Sequence, residues 1–96
     1  MYTSVRRYQL EPKNVPEVVA AIERDFVPLV THAKGFVSYS VVPQGDRLAT
    51  VSVFRDKEGA DESTRLAKEF VAKELSALMP QPPEIIAGED AVERHA

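Results

Sequence analysis

Ser38 and Ser40 alternate with apolar residues in the segment GFVSYSVVPQG, and Thr50 and Ser52 do the same in LATVSVF. Alternation at period two puts such hydroxyls on one face of a sheet. There they can stand in water, or they can be the few polar groups in an otherwise apolar ligand cavity. Arg6, Arg7 and Tyr8 are consecutive, so the two guanidinium groups point to opposite faces of a strand. A guanidinium can anchor an anionic or phenolic oxygen, pair with a carboxylate, or carry its charge out to water. A buried hydroxyl at Tyr8 needs a hydrogen-bond partner, from ligand or protein. His32 falls near the end of a helical pattern, where a cation is favourable, but has no orienting carboxylate near it in sequence. His95 lies in the tail. Asp61, Glu62, Glu69, Glu74 and Glu84 read as solvated surface, with helix pairs such as Glu69–Lys73. No His/Asp/Glu cluster has metal-ligand spacing, and no glycine-rich phosphate loop is present. The expectation is a protein without bound metal, haem, flavin or nicotinamide.

These groups belong to one domain, residues 1–96, with room for one modest core. The net charge of -3 gives no electrostatic footprint for nucleic acid. No segment is long and apolar enough to span a membrane, so no membrane partner is expected. The N-terminal MYTSVRRYQL alternates and lacks the apolar stretch of a signal peptide. With no cysteine in the chain there is no disulfide framework, and a cytoplasmic location is expected.

Tyr2 to Leu10 reads as a strand, closed by the turn residues EPKN. A helix follows, with Asn14 as cap, Glu17 completing an Asx form of the capping box, and Pro16 in the first turn. Val15, Val18, Val19, Ile22, Phe26, Leu29, Val30 and Ala33 form its apolar stripe. Pro28 lies inside that stripe and predicts a kink or a last turn. Phe36–Val42 and Arg47–Arg55 are strands joined by PQG. Read as a three-residue loop, PQG pairs Val42 with Asp46 and Val41 with Arg47. That register puts Phe36, Ser38, Ser40, Val42, Leu48, Thr50, Ser52 and Phe54 on one face, and Val37, Tyr39, Ala49, Val51 and Val53 on the other. Asp56 caps a second helix that runs to about Met79, ended by PQPP, and Glu84–Glu93 is a last strand. The order is β-α-β-β-α-β, an α+β ferredoxin-like fold with an antiparallel four-stranded sheet and both helices on one face. Both sheet faces carry more apolar surface than one-sided cover needs, so a second copy packed face to face is expected, a homodimer.

AKGFVSYSVV, VSVFRDKEGADEST and MPQPPEIIAGEDAVER resemble the loop-to-strand, strand-to-helix and C-terminal segments of dimeric α+β barrel proteins of the antibiotic biosynthesis monooxygenase (ABM) type, in particular small stand-alone bacterial members. The resemblance implies a cavity between sheet and helices in each subunit, and a cofactor-independent monooxygenase or quinol-oxidising enzyme acting on a small aromatic or phenolic metabolite. It also places the face carrying Phe54, the counterpart of an aromatic in several relatives, under the helices. On that basis Phe36, Ser38, Ser40, Thr50, Ser52 and Phe54 line the site, with Ser63 and Phe70 from the second helix and Arg6 and Tyr8 from the first strand. Haem-degrading relatives use an Asn on the first strand and a His on the second helix. This chain has Arg6, Arg7 and Tyr8 in that strand and no His from Asp56 to Met79, so haem degradation is not implied. The scarcity of titratable groups leaves a second class open, a non-catalytic dimer that binds a small molecule or serves as an accessory module.

Overall fold

A computed structural model describes the whole chain, Met1–Ala96. Strand β1 (Tyr2–Gln9) leads through a 3-10 turn (Pro12–Asn14) into a continuous helical run made of α1 (Val15–Ala21), a π segment (Ile22–Phe26) and α2 (Val27–Val30). Strands β2 (Phe36–Gln44) and β3 (Arg47–Phe54) form a hairpin. Then α3 (Lys57–Phe70) passes into a second π segment (Val71–Leu75), and β4 (Glu84–Glu89) ends the fold. The sheet is four-stranded in the order β2-β3-β1-β4, every neighbouring pair antiparallel. The expected α+β ferredoxin-like architecture is the one observed.

Asp56 caps α3 as its sequence predicts, its carboxylate accepting from the Gly59 N–H at 3.1 Å. Asn14 does not cap α1. It sits in helical backbone at the end of the 3-10 turn, and its side chain makes no capping bond. Pro28 lacks the N–H that would bond back along the helix, and the chain widens into π geometry just before it. On α3, Glu69 pairs with Arg65 at 2.8 Å rather than with Lys73.

The main correction concerns the hairpin. Gln44 pairs with Arg47, so the turn is the two residues Gly45–Asp46 and not PQG. Gly45 has φ +58, the positive value that the first central position of a II′-type turn requires. At the far end of β2 a bulge at Val37 separates the pair Phe36–Phe54 from the pair Ser38–Val53. One extra residue reverses the alternation along β2. Phe36 therefore faces inward, then Ser38 and Ser40 face outward, and Tyr39 and Val41 face inward.

On the helix side of the sheet stand Ser4, Arg6 and Tyr8 from β1 and Leu48, Thr50, Ser52 and Phe54 from β3, all buried. They meet Val18, Ile22, Phe26 and Val30 from the first helical run, and Ala60, Ala67, Phe70 and Leu75 from the second. Phe26 lies 5.5 Å from Tyr39 and 5.4 Å from Phe70, ring centre to ring centre. The other face of the sheet has no helix over it. Val5, Ala49, Val51 and Val53 are half-buried there, and Val42 and Ile86 are 54% and 63% exposed.

Candidate ligand-binding site

The helices do not close evenly on the sheet. At the N-terminal end of α3 the packing is tight. Gly59 lies against the Lys34 carbonyl and the Phe54 ring, and Phe54 is fully buried with Phe36 edge-on at 5.9 Å. At the other end α3 opens into its π segment, and the chain turns back through Met79–Pro83 to reach β4. Between these and β1 lies a cleft of about 410 Å³, within the roughly 300–1,000 Å³ typical of ligand pockets. Ala67, Val71, Met79 and the prolines of PQPP give it apolar walls. Arg6 and Tyr8 form its floor and also border a small inner recess of about 20 Å³, walled by Phe26, Tyr39, Thr50 and Phe70.

The polar groups here are few. Arg6 donates from Nη2 to Thr64 Oγ1 at 2.7 Å, and Thr64 in turn donates to the Ala60 carbonyl at 3.1 Å. Burial raises the pKa of the Tyr8 hydroxyl, with Arg6 opposing. Burial also pushes Tyr39 up to about 12, reinforced by Tyr8 and opposed by Arg6. Both phenols are therefore neutral hydrogen-bond donors at physiological pH, not bases. Next to them Ser4 and Ser52, directly paired across β1 and β3, bury hydroxyls that have no hydrogen-bond partner.

Of the residues expected at a site, Arg6, Tyr8, Thr50 and Phe70 come together around the cleft and its recess. Ser52 and Phe54, under the helices, and Ser63, buried on α3, border neither space. The Ser63 hydroxyl turns back onto its own helix, donating to the Ala60 carbonyl at 2.9 Å. Phe36 is half-buried at the packed end. Ser38 and Ser40 are exposed on the uncovered face, because the Gly45–Asp46 turn pairs them with Val53 and Val51 rather than with Thr50 and Leu48; the bulge at Val37 returns only Phe36 to the covered side. Tyr39 takes the inward place instead. Met79 and Lys68 at the cleft lie outside the sequence expectation, as does Thr64, the hydrogen-bond partner of Arg6. Lys68 borders it from an exposed position on α3. The two arginines separate clearly: Arg7, outside, pairs with Glu84, whereas Arg6, inside, meets no carboxylate. His32 is exposed at the end of α2, its Nδ1 2.6 Å from the Pro28 carbonyl oxygen. No three His, Asp or Glu side chains stand close enough to hold a metal ion, and no helix is long and apolar enough to cross a membrane.

No protein-family model and no curated protein sequence matches the chain. Solved structures do. A protein of unknown function from Nitrosomonas europaea superposes with a TM-score of 0.80 at 16% identity, over 99% of this chain and 93% of that one. Another from the same organism, provisionally named an antibiotic biosynthesis monooxygenase, gives 0.77 at 8% identity, over 94% and 89%. A dimeric ferredoxin-like protein from an uncultured marine organism gives 0.77 at 10% identity, over 99% and 91%. Identities this low speak to the fold and not to a reaction. The chain has the ferredoxin-like fold that these proteins share.

Proposed function

We propose that this chain is a cofactor-independent oxygenase of the ABM type that holds a small phenolic or quinol metabolite in the cleft between β1 and the end of α3. The observation that carries the reading is the cleft itself: apolar walls, an aromatic recess, and a few neutral or cationic donors at its floor. A substrate of this kind supplies its own electrons. A quinol passes two electrons and two protons to oxygen, giving the quinone and hydrogen peroxide. Insertion of one oxygen atom into a phenol gives instead a quinone and water. The protein's part is to orient the ring and to stabilise negative charge on its oxygen through Arg6 and Tyr8.

A second reading, a binding protein without catalysis, is favoured by one specific observation. No His, Asp or Glu borders the cleft, and both tyrosines there hold their protons, so no general base is at hand. Oxygen uptake separates the two. With 1,4-naphthoquinol as probe, the enzyme reading expects consumption well above the rate in buffer, with quinone formed in step. Probe that binds and is recovered unchanged, with no excess uptake, favours the second reading.

The assembly belongs to the same proposal. The apolar uncovered face, with Val5, Val51, Val53 and Ile86 side by side, suits a second copy packed sheet to sheet. One protein of the same fold is described as dimeric.

A further inference from the structure

Arg6 is 3% exposed, and its one hydrogen bond goes to the neutral hydroxyl of Thr64. A guanidinium taken out of water ordinarily has a counter-charge, because an unpaired buried ion is costly. Arg7, one residue on, is out on the surface and does have a carboxylate. Across the chain, acidic residues outnumber basic ones by 15 to 12. Yet the only charged side chains around the cleft and its recess are Arg6 and Lys68, both cations. The charge bordering this apolar space is thus positive only, and the fork of its buried cation is left without an acceptor anion.

We infer that the ligand of this cleft is an aromatic acid, whose carboxylate docks on the free N–H donors of Arg6. A planar carboxylate matches the guanidinium fork with two parallel hydrogen bonds. One guanidinium balances one negative charge, which suits a carboxylate better than a doubly charged phosphate ester. Tyr8, which shares the floor, adds a neutral donor. Lys68 at the edge attracts the anion without being buried with it. The inference rests on the reading of the cleft as the ligand site, and it narrows the ligand class from aromatic to aromatic and anionic.

The test compares 2-naphthoate with 2-naphthamide, which share a ring system and a planar head and differ in charge. Calorimetric titration of the native protein at neutral pH is expected to show the acid binding about tenfold to a hundredfold more tightly, the range of a charge-assisted hydrogen bond. Arg6→Gln is expected to bring the ratio close to one, and Arg6→Lys, which keeps the charge without the fork, to retain part of it. Where Arg6→Gln does not fold, Ala72→Glu at the exposed rim is expected to weaken the acid and spare the amide. Equal binding of acid and amide to native protein overturns the inference and leaves the cleft reading intact. So does a preference that survives Arg6→Gln unchanged. Binding of neither probe overturns both readings.

Discussion

Gly59 shows how one missing methyl group sets the spacing of a helix. A Cβ there would run into the Lys34 carbonyl oxygen and stand 2.9 Å from Phe54 Cδ1. Gly59→Ala is expected to cost about 1–3 kcal/mol in urea denaturation, as overpacking against backbone does. Gly88→Ala meets nothing within 4 Å and should change stability by less than about 0.5 kcal/mol. Tyr39 gives a pH signature. Its folded pKa is raised from 10 to about 12, so below pH 10 both folded and unfolded chains keep the proton. Between pH 10 and about 12 the unfolded chain gives up the proton and the folded one does not, and stability falls across that window. The loss should be at most about 2–3 kcal/mol, and Tyr39→Phe should remove it. Denaturation midpoints for the two proteins between those pH values check this, with the other tyrosines as common background. At this scale the sequence was only partly legible. That Arg6 and Arg7 must part company follows from alternation alone. Which of them meets a carboxylate depends on the pairing of β1 with β4, where Glu84 lies 77 residues away in the chain.

Among the elements, order and type could be read from turn residues and periodicity, and so could the inward row of β3, where Thr50, Ser52 and Phe54 are buried. The facing of β2 could not. Alternation separates Ser38 and Ser40 from Tyr39 and Val41, but a hydroxyl face can meet water or line a pocket, so the pattern by itself does not say which face turns to the helices. The choice falls to the turn, which uses Gly45–Asp46 instead of PQG and moves the partner of Arg47 from Val41 to Gln44, and to the bulge at Val37, which returns Phe36 to the covered face. A period-two pattern cannot count either. The position of the cavity was hidden for a related reason. Small residues on a helix can leave empty space or allow close approach, and at Gly59, Ala60 and Ser63 the helix comes down onto the sheet. The open volume lies where π geometry and the proline strap hold the chain away. The turn can be tested directly. Gly45→Val must place a branched side chain at φ +58 and should cost about 1–2 kcal/mol, whereas Gly45→Asn should cost much less. Thermal melts of the two variants give the comparison.

For the whole molecule, the covered face of the sheet holds the core and the uncovered face is still apolar. Val51 lies near the middle of that uncovered face, paired with Val5 and Ser40. Val51→Lys is therefore expected to leave the fold intact and to shift the protein from dimer to monomer in sedimentation at micromolar concentration. A native protein that sediments only as a monomer would remove the dimer proposal. The same substitution should leave binding of a cleft ligand unchanged, since the cleft opens on the opposite side of the sheet. The bulge in β2 has a further consequence. β2 and β4 are the two outer strands, and an outer strand offers free N–H and C=O groups to any passing chain. Here one edge is bent at Val37 and lacks a donor at Pro43, and the other is six residues long and approached through PQPP. Neither edge is a straight template for another strand. A sheet with an oily, uncovered face invites sticking, and these interruptions deny it growth sideways into fibrils, which leaves the face-to-face pairing proposed above as the way for that face to be covered.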